Sequence, residues 1–298
     1  MWFPLALTAM LMLVVRRSTE KTLADKIPAT SMAWLQQFVA LPFILLAFLL
    51  PAAVFLNPLE LSQQFYTVLV IYAVLSAVDV ILYFKAISLG DISVVASTMS
   101  LTVVSSLIGA YFILDQTPSA MGIAGSACIL VGAYLATKRP PSADALNTAA
   151  NKLALVLILA VVALRGVYGP MEVIGINASN PYYFNLATSL VAVPIIMLVM
   201  YLRGRHTGKP AFSKSLLTAV NTHRIGLLII GVTYTINLTC TFAAKVMAEN
   251  AGYIPTVKSA SVLPVMILGV LLFREKVRKR QWLGLGIILV GLALFSQA

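Results

Sequence analysis

The chain is 298 residues long, 60% hydrophobic and only 10% charged, with a mean hydropathy of +0.95. This excludes a soluble domain, whose charged share is usually about 25%. The formal charge of +11 is dispersed along the chain, which argues against a nucleic-acid partner and for attraction to an anionic cytoplasmic leaflet.

The first apolar run, Met1–Val15, is followed by Arg16 and Arg17. A secretory leader carries its positive charges ahead of the run and a small-residue cleavage site after it, and neither is seen. Such a run is too short for a hydrocarbon core about 30 Å thick. The first helix is therefore expected to reach about Lys21, with Arg16 and Arg17 snorkelling in its inner part. Further apolar runs predict helices at Ser31–Val54, Tyr66–Leu89, Ser93–Leu114, Ala120–Thr137, Leu153–Ile174, Tyr183–Leu202, Ile225–Met247, Tyr253–Phe273 and Trp282–Ala298. Turn signals separate them at Asn57-Pro58, Asp115 to Pro118, Asn180-Pro181 and Glu249 to Gly252. Long polar linkers lie at Lys138 to Lys152 and Arg203 to Arg224.

Lysine and arginine occupy every second connection: Arg16, Arg17, Lys21 and Lys26; Lys85; Lys138, Arg139 and Lys152; Arg203 to Arg224; and Arg274 to Arg280. The connections between carry none. Basic loops stay on the cytoplasmic side, so the pattern predicts ten crossings of the cell membrane with both termini outside. Arg165, Lys245 and Lys258 fall inside helices, where topology does not account for them.

The two halves superpose when Gly132 is set on Gly291: Gly125 meets Gly284, Ile129 meets Ile288, Ile108 meets Ile267 and Ser100 meets Ser259. A repeat of five crossings must enter the membrane from the opposite face the second time. The expectation is an all-α membrane protein of ten helices in two inverted five-helix repeats, 1–137 and 153–298, joined by a cytoplasmic linker at 138–152. Gly125 and Gly132, like Gly284 and Gly291, share one helical face and allow close backbone approach. That approach serves either packing within a monomer or a homodimer interface.

Tyr83 to Ile87 running into Leu114-Asp115-Gln116 and Gly125 to Gly132, with Leu272 to Lys276 running into Gly284 to Gly291, resemble the drug/metabolite transporter superfamily, EamA type. The resemblance implies ten helices, an inverted repeat and solute transport. The glutamate expected after the fourth helix of each repeat is Glu275 in the second half but Gln116 in the first. Val257-Lys258-Ser259 with the last glycine pair looks like the sugar-phosphate and nucleotide-sugar branch, where a ninth-helix lysine helps to hold phosphate. Only Lys258 is carried over.

Charges at membrane depth cost roughly 2.5 to 3.5 kcal/mol each on insertion scales, so they face a bundle interior or a cavity. Arg165, Tyr168 and Glu172 share one face of the sixth helix, beside Gly169 and Pro170; Tyr234, Asn237, Thr241 and Lys245 share one face of the eighth. Asp79 and Tyr83 come from the third helix, Arg16 from the first, and Lys258 with Ser261 from the ninth. Asp79 can pair with Arg16 or Arg165, and Glu172 with Lys245 or Lys258. Against these two carboxylates the four cations leave positive charge in surplus, which suits an anion. The expected activity is secondary transport, as exporter or exchanger, of a small anionic or zwitterionic metabolite by alternating access. Arg165 and Lys258 would hold its negative group, and Asp79 would couple a proton or cation. Alternatives are a flippase for a lipid-linked phosphosugar and a non-transporting scaffold or sensor. An enzyme is not expected: His206 and His223 lie in a linker, and no P-loop or nucleophile–base pair occurs. Cys128 and Cys240 have no partner at ligand spacing, so neither metal nor cofactor is called for.

Overall fold

The computed structural model of the protein describes residues 2–24, 26–49, 62–89, 95, 98–137, 149–207, 218, 220–273 and 279–297. Among the described residues the chain forms eleven helices and no strand: α1 (Trp2–Ala24), α2 (Ala29–Leu49), α3 (Gln63–Leu89), α4 (Thr102–Leu114), α5 (Ala120–Thr137), α6 (Ala149–Asn177), α7 (Pro181–Thr207), α8 (Arg224–Met247), α9 (Tyr253–Ser259), α10 (Val262–Phe273) and α11 (Lys279–Phe295). Five of these, α2, α3, α6, α7 and α8, are long and apolar enough to cross a bilayer. The outer faces of the bundle show large apolar side chains, such as Phe112 on α4 at 75% and Ile225 on α8 at 68% exposure, as a hydrocarbon surround requires.

The bounds of α5 match the predicted run. Others extend past it: α6 begins at Ala149 and ends at Asn177, where 153–174 was expected. Hydropathy fades before the helix does, because helix ends reach beyond the hydrocarbon core into the polar interface. The Asn57-Pro58 turn, the residues Ser93 and Ser97, most of both linkers and Arg274 to Arg278, including Glu275, lie outside the described residues.

Helix packing repeats with two-fold correspondence. α1 packs on α8 as α6 packs on α3; α2 packs on α8 as α7 packs on α3; α4 packs on α6 as α9 packs on α1. The α2–α7 and α5–α11 contacts are each their own counterpart. In the last of these, a Cβ on Gly132 would stand 2.6 Å from the Gly284 carbonyl oxygen, and one on Gly291 would stand 2.9 Å from that of Gly125. Residue 125 faces 291 while 132 faces 284, so α5 and α11 run antiparallel. The two five-helix repeats are thus inverted, and both glycine pairs are used within one chain. The paired positions Ile129 and Ile288 are both fully buried.

Both runs expected as continuous helices, Ser93–Leu114 and Tyr253–Phe273, are broken. Leu101 N–H donates to Thr98 O at 3.0 Å and Val103 N–H to Ser100 O at 3.1 Å; Ala260, Ser261 and Leu263 likewise donate three residues back. These are tight 3₁₀ turns. The repeat register that sets Ser100 on Ser259 puts the two breaks at equivalent depth. Pro264 helps in the second copy: it has no N–H for the Ala260 carbonyl, which accepts Leu263 N–H instead.

Where α1 begins, the bundle is closed by contacts between the repeats. Trp2 packs on Tyr253 and Phe295, with ring centroids 6.1 and 6.2 Å apart. Tyr253 Oη accepts the Ser119 N–H at 2.7 Å. The Gln116 side-chain oxygen accepts the Ala251 N–H at 2.8 Å, and the Gln116 carbonyl accepts from Asn250 Nδ2. Asp115, in the left-handed region at φ 54°, turns the chain into this joint.

Candidate functional site

All twelve polar residues singled out at membrane depth in the sequence line one cavity of about 240 Å³. α1, α3, α6, α8 and the α9 break supply most of its lining, with further residues from α2, α4, α5 and α7. The stripe at i, i+3 and i+7 on α6 and its equivalent on α8 bring this about, because such spacing holds side chains to one face.

Nearest the end where α1 begins, Lys245 and Glu172 form a buried ion pair. Lys245 Nζ also donates to the Gly169 carbonyl at 2.9 Å, and Tyr72 Oη donates to Glu172 Oε1 at 2.9 Å. Tyr168 stacks edge-on against Tyr72 at 5.3 Å.

Deeper in, Arg165 holds Asp79 through two parallel bonds of 2.9 Å, Nε to Oδ1 and Nη2 to Oδ2. This planar fork is the strong, orienting form of the pair. The same guanidinium lies 5.6 Å from the centre of the Tyr83 ring. Both of its carboxylate-facing donors are thus engaged by Asp79. At a similar level Arg16 lies 5.2 Å over the Tyr234 ring, and Tyr234 Oη accepts from Gln37 Nε2 at 2.8 Å.

Lys258 stands between these layers, at the end of α9. Its ammonium donates to Thr241 Oγ1 at 3.1 Å and to Asn237 Oδ1 at 3.4 Å. Asn237 is itself fixed by donating Nδ2 to the Ala9 carbonyl. Among the described residues Lys258 meets no carboxylate. Ser261 and Ser259 line the cavity beside it, with Ser100 and Thr102 from the equivalent break.

One expectation is corrected. Four cations were set against only Asp79 and Glu172, but Glu20 is a third buried carboxylate, with its Oε1 3.2 Å from Arg16 Nε. Its position four residues after Arg16 was the available signal; the surrounding basic residues gave the segment the look of a loop. Sequence reading also missed Arg17, Gln36, Gln37 and Tyr72, which line the cavity. The glutamines are neutral; Tyr72, seven residues before Asp79 and so on the same helical face, carried an available signal that its lack of charge left unused.

The sequence model of the EamA-like transporter family matches residues 1–138 and 152–297. Among solved structures, 28 chains match. One, described only as the crystal structure of a protein, is covered over 96% of its length by 99% of this chain, with a TM-score of 0.65 at 14% identity. That likeness is one of fold. No curated protein matches in sequence.

Proposed function

We propose that this chain, which belongs to the EamA-like transporter family and is thus a multi-pass membrane transporter, moves a small anionic or zwitterionic metabolite across the cell membrane by alternating access. The observation that carries this reading is Lys258, a cation among neutral oxygens in the middle of the cavity. A half-buried ammonium with no carboxylate in contact is costly, and a substrate carboxylate or phosphate supplies the counter-charge. Its third N–H remains for that group.

Arg165 has a different part, since Asp79 already holds it. A proton on Asp79 removes the carboxylate charge and frees the guanidinium fork for substrate. Asp79 is then the coupling site, and Arg165 binds substrate only when Asp79 is neutral. With the basic loops facing the cytoplasm, both termini lie outside. The joint of Gln116, Ser119, Ala251 and Tyr253 then closes the outer end.

The test is transport by the purified protein in liposomes, using labelled carboxylates, phosphate esters and amino acids, with and without an imposed proton gradient. At least one anion or zwitterion is expected to move, and Lys258→Gln to abolish the movement. Absence of transport for every member under both conditions overturns the proposal.

A further inference from the structure

Counting the charges at the cavity separates two cations from the rest. Arg16, Arg17, Arg165, Lys245 and Lys258 all line it. Three carboxylates answer them: Glu20 with Arg16, Asp79 with Arg165 and Glu172 with Lys245. Among the described residues, Lys258 and Arg17 have no carboxylate oxygen within 4.0 Å, and the nearby Glu172 and Glu20 are each in contact with another cation.

Arg17 is the less expected of the two. Its Nε is buried and has no hydrogen-bond partner, whereas a buried donor normally finds one. Gln36 and Gln37 line the cavity as well. A guanidinium with a free Nε edge is built to take a carboxylate or phosphate through two bonds.

The two cations stand at different depths. Arg17 lies fifteen residues along α1 from Trp2, about 22 Å at helical rise. Lys258 lies five residues along α9 from Tyr253, about 7.5 Å, and Tyr253 packs on Trp2. Their backbones are therefore roughly 15 Å apart along the bundle, with two long side chains reaching into the space between.

We infer that the cavity has two anion stations, Lys258 and Arg17, and that its substrate is a linear molecule with a negative group at each end, such as a dicarboxylate or a phosphorylated acid. The inference rests on the proposed anion binding at Lys258 and narrows it. A zwitterion would place its ammonium against one of two unanswered cations. A single anion would leave one of them uncompensated.

The experiment uses the purified full-length protein in lipid nanodiscs, with thermal unfolding as readout. The ligands are linear α,ω-dicarboxylates from malonate to azelate, each compared with its monoamide, which has nearly the same shape and one charge fewer. At least one diacid is expected to bind about 10- to 100-fold more tightly than its monoamide, the range for one charge-assisted contact. Arg17→Gln should bring the two to parity, and Arg17→Lys, which keeps the charge and guards against a folding defect, should preserve the preference. The inference is overturned if no diacid outbinds its monoamide, or if the preference survives Arg17→Gln. If monoamides bind without a diacid preference, anion binding at Lys258 stands and the second station falls. If neither ligand type binds, the two-station inference falls, and the liposome transport test decides the anion reading on its own.

Discussion

Asp79 and Arg165, brought together from different repeats, share two hydrogen bonds of equal length, 2.9 Å, one from Nε and one from Nη2 to the two carboxylate oxygens. The Asp79 side chain is nearly closed off while that of Arg165 keeps a quarter of its surface accessible. Neutralising one partner therefore strands a charge that water reaches only in part. Asp79→Asn is expected to lower stability by about 2 to 4 kcal/mol, and Asp79→Asn with Arg165→Gln to cost less than the sum of the singles. Thermal unfolding of the four members of the cycle measures this; strict additivity would show that the pair is not coupled.

Lys245 and Lys258, both lysines in the second repeat, should respond differently to loss of charge. Lys245→Met removes the partner of buried Glu172 and is expected to destabilise the fold by about 3 to 5 kcal/mol. Lys258→Met strands no carboxylate and leaves only the neutral Asn237 and Thr241 oxygens behind. Its unfolding temperature should stay the same or rise, while anion binding is lost. Equal destabilisation by both substitutions would refute this division.

At Gly284 an added methyl group would stand 2.7 Å from the Gly132 carbonyl oxygen, whereas at Gly286 it would meet nothing within 4 Å. Gly284→Ala is expected to cost about 1 to 3 kcal/mol by forcing two backbones apart. Gly286→Ala, two residues away on α11, should be neutral or slightly stabilising, since alanine favours the helix. Unfolding temperatures of the two variants, measured side by side, decide the matter.

Gln116 offers the Ala251 N–H its acceptor across the repeat boundary. Gln116→Ala should cost about 1 to 2 kcal/mol and speed hydrogen exchange at the Ala251 amide. Gln116→Glu, which retains an oxygen in the same place, should restore slow exchange. Unchanged exchange in Gln116→Ala would mean that the joint is held by Tyr253 and Asn250 alone.

The positions of the intramembrane polar residues were largely legible in the sequence, since a charge on an apolar cylinder must face inward and helical spacing tells which residues share that face. Their partners were not. Asp79 could have paired with Arg16 or Arg165, and only the packing of α3 on α6 decides. Glu20 lay hidden among Arg16, Arg17 and Lys21, in a segment whose charge density resembles a loop. The helix breaks at Ser100–Leu101 and Ala260–Ser261 were not legible either. The residues there are small or apolar and equally at home in a continuous helix, and Pro264 marks only one copy. A 3₁₀ turn replaces one set of backbone bonds by another and leaves little trace in composition.

The glycine contact between α5 and α11 restricts how such a bundle can move. Where carbonyl oxygens of one helix touch the backbone of the other, there are no side chains between them to change rotamer and take up a displacement. Any rearrangement that exposes the cavity first to one face and then to the other must leave this seam nearly rigid and turn about it. The chain beside the cavity is jointed ahead of α4 and between α9 and α10, so under the proposed alternating access a displacement falls to those joints, and the seam is the axle.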